Sequence, residues 1–428
     1  MSRSKQLNSD AILASQLAFV EKFGATRRFY PDSSIWNFDQ SPFNYEFTAD
    51  RTLSWAGERD TIVAVDQPNK VTHSYTIQPI ISRAGRPVGK LLICLQERGG
   101  AFGPRVQNEV TRLERAYGNI MVFSSSSGKM SVPLMHDWVR LLVLPSTLEL
   151  STTVEETDDE HSRQSAPNTT SNPSEPVAGT SGLNLRRPRV LLLGDSWAGN
   201  TNQQVVGRLA DQGIEFMQIP QGTTSEIQPL DVQFLRQYKY FVKRIIMFLN
   251  LENRTEVATS REGVLNLHSL VWNQFSALAY SDLLRYAWRH VDPDFSQHEL
   301  TVSGRPQMTQ NLQFSFHPGT RCEHGNCTDH AFVQCAHCGK LLCLHHFLER
   351  VCFHEVHEQE LDQVDLTIQG ERPFQALDEE EEAFDESFAL FSQDPLQNQS
   401  SSSTSSSTVN SLIYRAPFRL SESHKRTN

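Results

Sequence analysis

One short apolar run, Val190–Gly194 in "RVLLLGDSWAGN", places the strongest constraint on the fold of this chain. An unbroken run of this length and composition is typical of a strand buried on both faces. A helical pattern with a glycine stop ("NQQVVGRLADQG"), a strand ("IEFMQIP") and a long helix opening at Pro229 follow it. Upstream, apolar and β-branched runs around Gly-Arg-Pro predict consecutive antiparallel strands. This order predicts an α/β fold with a mixed sheet flanked by helices.

Two acidic segments divide the chain into parts. Residues 151–185 carry six acids against one arginine, and residues 355–428 carry fifteen acids against five bases. Both are too poor in apolar side chains to offset the entropy of ordering them, so we expect them to be disordered. Because the whole chain has a net charge of −11, the residues outside these two segments carry about +4. A positively charged remainder suits approach to a polyanion.

The changes in composition predict six parts of the chain. They are a helical lead-in (1–29), the first part of the α/β domain (30–150), an acidic linker insertion (151–187), the second part with a helical extension (188–300), a Cys/His module (315–357) and an acidic, serine-rich tail (358–428).

Three aspartates lie where elements of the α/β pattern begin or end. Asp39 ends the extended "IWNFD", Asp195 ends "VLLLGD", and Asp231 opens a helix in "QPLD". Any one of them alone would be read as a helix cap or a turn residue. Together they can converge at one sheet edge, where three carboxylates suit a pair of Mg²⁺ or Mn²⁺ ions acting on a phosphodiester.

The segments around these acids resemble the catalytic domain of pogo-like DDE transposases. The resemblance spans roughly residues 30–290 and includes "WNFDQSPF", "SSSGKMSVPLMHDWVRLLVLP", "VLLLGDSWAGN" and "IPQGTTSEIQPLDVQFLRQYKYF", in that order. It implies an RNase H-like fold, with Asp39, Asp195 and Asp231 as the catalytic and metal-binding acids. The implied function is metal-dependent DNA cleavage and strand transfer.

Departures from that family support an alternative. Gln40 stands where the family often has a glutamate, and Asn200 where it often has a histidine. Only 38 residues precede Asp39, too few for the N-terminal helix-turn-helix modules of pogo-like transposases, so we expect either a fragment or a protein that its host uses without those modules. The alternative is a domesticated, catalytically inactive nuclear protein that binds DNA or chromatin.

The Gly-Asp-Ser sequence also resembles the nucleophile block of GDS-type serine esterases, with Ser196 as the nucleophile. Those enzymes carry the block near their N-terminus and need a late Asp-x-x-His, and neither feature is found here. Asp195 is therefore the favoured working residue.

The densest cluster of potential metal ligands lies in residues 322–357. It contains four pairs of potential ligands. These are Cys322 and Cys327, Cys335 and Cys338, Cys343 and His346, and Cys352 with either His354 or His357. Eight ligands suffice for two tetrahedral Zn²⁺ sites with interleaved pairs. So short a segment cannot bury a core alone, so we expect the metal to stabilise its fold.

This segment resembles the C-terminal cysteine-rich zinc module of piggyBac-type transposases, which implies DNA binding. A RING finger is a more distant resemblance, because the final Cys-x-x-Cys is missing. The histidines at 324, 330, 337 and 345 remain alternative ligands.

A basic stripe follows the third aspartate. Arg236, Lys239 and Lys243 share one face of the predicted helix and can contact DNA phosphates, although a solvated helix face has the same pattern. We therefore expect a nuclear protein whose partner is DNA, with neither a membrane segment nor a small-molecule substrate. Whether it forms a homodimer stays open.

Overall fold

The apolar runs of the sequence form the strands of a mixed β-sheet in the computed structural model, which describes residues 3–45, 74–148, 150, 189–295 and 320–355. These residues belong to one unit, formed by residues 1–47 and 67–356. The strands are β1 (Ile35–Phe38), β2 (Ser41–Asn44), β3 (Ser74–Gln78), β4 (Ile80–Ser82), β5 (Leu91–Gln96), β6 (Ile120–Ser125), β7 (Val190–Gly194), β8 (Ile214–Gln218), and the short β9 (Val333–Gln334) and β10 (Leu341–Leu342).

Strands β1 to β8 form two four-stranded groups. The groups are joined because β1 leads directly into β2 and β3 leads directly into β4. One group has the order β4-β1-β7-β8 and the other β2-β3-β5-β6. Phe38 pairs with Ile80 in the first group and Ser41 with Ile77 in the second, so the antiparallel register is unchanged across the break. Strands β7 and β8 run parallel to β1, and β6 runs parallel to β5.

Helices flank this sheet on both faces, and one further short helix, Leu344–Leu348, belongs to the Cys/His segment. They are α1 (Arg3–Arg27), α2 (Pro104–Tyr117), α3 (Val132–Trp138), α4 (Gln203–Asp211), α5 (Thr224–Ile227), α6 (Leu235–Leu251), α7 (Thr255–Thr259), α8 (Arg261–Phe275), α9 (Ser281–Tyr286) and α10 (Leu344–Leu348). Helix α3 continues as a π-helical turn over Val139–Val143, and a similar turn over Leu230–Phe234 leads into α6.

The two faces of the sheet bury separate apolar cores. On one face, Trp36 and Phe38 pack with Trp138 at the end of α3 and with Leu209 of α4. The other core includes the neighbouring residues of the same strands and the apolar sides of α1, α2, α6 and α8. Burial on both faces explains why β7 is apolar throughout.

Helix α1 is held against the rest of the unit by packing and by ion pairs. Phe23 stacks on Trp288, with ring centroids 6.1 Å apart. Asp292 is buried and pairs with Arg27 at 2.8 Å and with Arg83 at 2.5 Å. The predicted lead-in helix is therefore an integral part of this fold.

The α/β fold class predicted from the sequence, a mixed sheet flanked by helices, is confirmed. The acidic linker, the tail beyond residue 355 and the strands expected at "TLSWAG" and "ERDTIVAV" lie outside the described residues. Among the described helices, none has the length and apolarity that crossing a bilayer requires.

Candidate metal centres

Asp39 and Asp195 follow two neighbouring parallel strands at the same edge of the sheet. Asp39 comes directly after β1 and Asp195 directly after β7. The register pairs Asn37 with Leu193, so both aspartates lie two residues beyond a matched pair. The carboxyl edge of parallel strands is where ligands usually bind in open α/β sheets.

The sheet is interrupted at Asp39, and Pro79 explains the interruption. Pro79 lies between β3 and β4, on the strand that pairs with both β1 and β2. Proline has no N–H to donate to a strand ladder. Asp39 is therefore placed at a gap in the hydrogen-bonded ladder, while the strands on either side keep their register.

A buried asparagine links the elements that carry the three aspartates. Asn37, on β1, donates from Nδ2 to the carbonyl oxygen of Leu193 at 3.1 Å. Its Oδ1 accepts from the backbone N–H of Leu230 at 3.0 Å. One side chain thus connects β1 with β7 and with the turn that contains Asp231.

The carboxyls of Asp39 and Asp231 are in contact. The pKa of Asp39 is raised well above its usual value by burial, by the charge of Asp231 and a hydrogen bond with it, and by the charge of Asp195. The backbone N–H of Gln40 donates to the Asp39 carboxylate and opposes this rise. Asp39 is buried, whereas Asp231 is exposed, so the pair opens to solvent on one side.

Asn200 and a backbone amide orient Asp195. Asn200 is buried, and its Nδ2 donates to Oδ1 of Asp195. The N–H of Trp197 donates to the same oxygen at 3.2 Å. At this position, which departs from the pogo-like pattern, the chain therefore has a residue that fixes one carboxylate oxygen of Asp195.

Gly194 allows this strand end to pack closely. A Cβ at this position would lie 2.6 Å from the ring of Phe38, the residue before Asp39. The Gly-Asp sequence therefore reflects the packing between two adjacent acid-bearing strands. Ser196, the esterase alternative, has no histidine partner within the described residues.

The basic stripe lies on the helix that Asp231 opens. Arg236 and Lys239 are exposed and Lys243 is half-buried on α6. The Lys239 ammonium lies 5.9 Å from the ring centroid of Phe43 on β2. This contact places Lys239 over the strand that continues from Asp39.

Eight Cys and His side chains form two groups that could each hold a metal ion. The first consists of Cys322, Cys327, Cys343 and His346, and the second of Cys335, Cys338, Cys352 and His354. Within each group the ligand atoms lie within 4.8 Å of one another. Three sulfurs and one imidazole nitrogen are a donor set that zinc takes in tetrahedral sites, so both groups could bind zinc.

The groups combine alternate ligand pairs along the chain. His346 Nδ1 lies 3.3 Å from Cys322 Sγ and 3.2 Å from Cys343 Sγ, joining the first pair to the third. In the second group, Cys335 Sγ lies 3.4 Å from His354 Nε2, and Cys338 Sγ lies 3.8 Å from Cys352 Sγ.

Two of the alternative histidines have other partners. His337 makes a hydrogen bond with the carbonyl of Asn273, and His345 pairs with Glu349. His357 lies outside the described residues, and His354 supplies the imidazole of the second group.

The three aspartates do not form such a compact group. Among the described residues, only the two Cys/His groups bring three or more ligand atoms within 4.8 Å of one another. Asp39 and Asp231 touch, and Asp195 stands near enough for its charge to raise the pKa of Asp39. The roles of Asn37 and Asn200 were missed by sequence reasoning. The placement of Asn37 two residues before an acid, on an otherwise apolar strand, was the available signal.

No protein-family model matches this chain, and no curated protein matches it. Among solved structures, it is similar to a Mos1 transposase paired-end complex with the left transposon end, with 10% identity, a TM-score of 0.28, and coverage of 66% of this chain and 64% of that chain. It is also similar to a pre-cleavage Mos1 transpososome, with 9% identity, a TM-score of 0.28, and coverage of 67% and 64%. The chain thus spans just under two thirds of the length of either solved chain.

Proposed function

We propose that this protein is a nuclear, metal-dependent DNA-processing enzyme of the transposase type, which cleaves phosphodiester bonds and transfers strands. The observation that carries the proposal is the contact of Asp39 with Asp231, beside the strand that Asp195 directly follows. The three acids come from positions far apart in the chain. A structural role alone does not require carboxylates to be placed against one another at the cost of repulsion.

The acids fit Mg²⁺ or Mn²⁺. Two carboxylates in contact, one of them buried, need either a shared proton or a cation between them. Hard divalent ions take carboxylate oxygens and leave positions for phosphate. Two such ions, when bound, would activate the attacking oxygen and stabilise the leaving oxygen of a phosphodiester.

The other residues of the site have supporting roles in this proposal. Asn200 and the Trp197 amide hold one oxygen of Asp195, so its second oxygen is directed to a ligand. Asn37 fixes the spacing of the acid-bearing elements. Arg236, Lys239 and Lys243 would hold DNA phosphates along α6, next to Asp231.

A nicking assay on supercoiled plasmid with Mg²⁺ or Mn²⁺ tests the proposal. Asp195→Ala is expected to lower the rate at least about 100-fold, because it removes an interaction made in the transition state. The matched control is Asp211→Ala, an exposed aspartate at the end of α4, which should keep the wild-type rate.

Two results would contradict the enzyme. One is nicking that Asp195→Ala leaves unchanged, which would indicate a contaminating nuclease. The other is DNA binding without nicking by the wild type under either metal, which would favour the inactive DNA- or chromatin-binding alternative.

A further inference from the structure

The Cys/His module packs against the α/β domain. Its buried apolar residues belong to the same core as α6 and α8. The rings of Phe241 and Phe347 lie 6.0 Å apart, and those of Phe248 and Phe332 lie 4.8 Å apart in an edge-to-face arrangement. The module is therefore docked on these two helices.

An arginine after α10 reinforces the docking. Arg350 lies over the rings of Tyr117 and Phe353, at 4.2 and 3.9 Å from their centroids. It also donates to the side chains of Asn266 and Ser269 on α8, at 3.0 and 3.1 Å. These contacts are outside both ligand groups and fix the orientation of the module on α8.

The end of α8 also binds the backbone of the second ligand group. Asn273 is buried, and its Nδ2 donates to the carbonyl of His354 at 2.6 Å, while its Oδ1 accepts from the N–H of His354 at 3.2 Å. Its own carbonyl meets Nε2 of His337 at 2.7 Å. A single residue of the α/β domain thus holds segments at both ends of the second group.

Gln274 reaches a ligand atom directly. Its side chain is buried, and Nε2 donates to Sγ of Cys335 at 3.7 Å. Its Oε1 accepts from the N–H of Ala336, the next residue, at 2.8 Å. Both ends of the amide are therefore used on the loop between Cys335 and Cys338.

The first group is built differently. Within the described residues, the hydrogen bonds of its ligand side chains stay inside the module, between Cys322, Cys327, Cys343 and His346. The two groups have the same donor set but different surroundings.

We propose that the second Cys/His group is completed by the α/β domain, with Gln274 as a positioning residue for the Cys335 thiolate. Metal binding in this group and docking of the module on α8 are then coupled. By thermodynamic linkage, if docking on α8 raises the metal affinity of the second group by some factor, metal binding strengthens docking by the same factor. The first group holds its metal independently of α8.

The physical basis is the charge of the thiolate. A metal-bound cysteine is deprotonated, and an amide N–H that donates to its sulfur stabilises that charge in a buried site. Partners of this kind tune metal affinity about 10–100-fold. The proposal does not rest on DNA cleavage, so the two can fail separately.

The test uses the full-length, zinc-loaded protein and the variants Gln274→Glu and Gln274→Met. Glutamate keeps the acceptor for Ala336 but loses the donor to Cys335, and methionine loses both. The rate of alkylation of each cysteine by iodoacetamide is followed by mass spectrometry under a zinc chelator. We expect both variants to expose Cys335, Cys338 and Cys352 about tenfold faster or more, with Cys322, Cys327 and Cys343 unchanged.

The matched control is Gln107→Glu, which makes the same side-chain change at an exposed position of α2, where the amide donates to Thr111 of the same helix and not to the module. It should leave the second group at its wild-type rate within about threefold, well inside the range expected for a lost ligand partner. In cobalt-loaded protein, the thiolate charge-transfer band should shift in both Gln274 variants and not in the control.

Three results would overturn the proposal. Equal acceleration at all six cysteines would mean that Gln274 supports the module's fold only. No change at any cysteine would mean that the hydrogen bond is inconsequential. Wild-type rates that are the same with and without chelator would mean that the second group holds no zinc. Hydrogen exchange gives the reciprocal measurement, because chelation should speed exchange at the end of α8, around Asn273.

Discussion

The acid site, formed by Asp39, Asp195 and Asp231, and the Cys/His module bring their ligands together in contrasting ways. The aspartates come from positions 39, 195 and 231, and tertiary structure alone brings them near one another. The module's eight ligands lie between residues 322 and 354. The sheet that carries the aspartates does not depend on them for its fold, whereas the eight ligands make up a large part of the Cys/His module.

The two regions also differ in what fixes the ligands. At the acid site, buried asparagines hold strands and carboxylates in place, namely Asn37 across three elements and Asn200 on Asp195. In the module, short chain spacing places the sulfurs, and among the described ligand side chains those of the second group are the ones with a hydrogen bond from the α/β domain. We therefore expect removal of zinc to unfold the Cys/His module, and removal of Mg²⁺ or Mn²⁺ to leave the sheet around the acid site folded.

Chelation should produce the largest effect and tests that contrast directly. Removing zinc should open residues 320–355, because structural zinc contributes on the order of 10 kcal/mol to the folding of such small modules. Hydrogen exchange followed by mass spectrometry should show lost protection there while β1 and β7 stay protected. If the sheet opened together with the module, the contrast would be wrong.

Asn37→Ala should produce the next largest effect, on the acid site. It leaves the N–H of Leu230 buried without its partner and removes the side-chain hydrogen bond to the carbonyl of Leu193, so we expect a loss of about 1–3 kcal/mol in the free energy of unfolding. Urea denaturation measures this loss, and plasmid nicking should fall with it.

The control for Asn37 is Asn119→Ala. Asn119 is half-buried and makes two hydrogen bonds with Ser269, at 2.8 and 2.6 Å, away from the acid-bearing strands. It should cost less stability and leave nicking unchanged. Equal loss of nicking in both variants would show that Asn37 acts through general stability.

Acid pH should weaken the α/β domain through a buried histidine. His268 lies between the hydroxyls of Tyr75 and Tyr238, at 2.8 and 2.9 Å, and burial lowers its pKa from 6.5 to about 3. Below pH 6.5 the unfolded chain takes up a proton that the folded chain refuses, so stability falls as the pH drops towards 3. Between pH 6.5 and 5 we expect a loss of about 2 kcal/mol.

His268→Gln isolates this contribution. Because glutamine cannot take up the proton, urea denaturation at both pH values should show a flatter pH dependence in the variant, whatever its stability at pH 7. A pH dependence identical to that of the wild type would place the acid sensitivity elsewhere.

The smallest expected effect concerns DNA binding by α6. Arg236→Ala should weaken binding by about 1 kcal/mol or less and lower the slope of log K against log salt by about one. Arg208→Ala, at an exposed position on α4 over the opposite face of the sheet, is the matched control. Equal effects of both substitutions would mean that α6 is no preferred DNA surface.

Sequence reasoning reached the fold class because strand burial and helix periodicity are local signals. Val190–Gly194 reads as a buried strand and forms one, and Pro229 opens the helical stretch that carries Asp231. It also proposed interleaved ligand pairs, since eight ligands in so short a segment leave few arrangements.

What sequence reasoning missed depends on contacts between distant positions. Nothing near Asn37 indicates that it reaches Leu230, and Gln274 looks like an ordinary polar residue at the end of a helix. Choosing between His354 and His357 required the position of Cys335. Such partners are set by packing, which a spacing pattern does not contain.

The unbroken register across Asp39 has a consequence for how this strand tolerates insertions and deletions. Adding one residue anywhere from Ile35 to Asn44 would turn every later side chain to the opposite face, exchanging the members of the two apolar cores. The gap in the ladder at Asp39 is the one position in this strand that could absorb the extra residue as a bulge, and doing so would displace the carboxylate. The number of residues in this strand is therefore constrained both by packing in the two apolar cores and by the position of the Asp39 carboxylate.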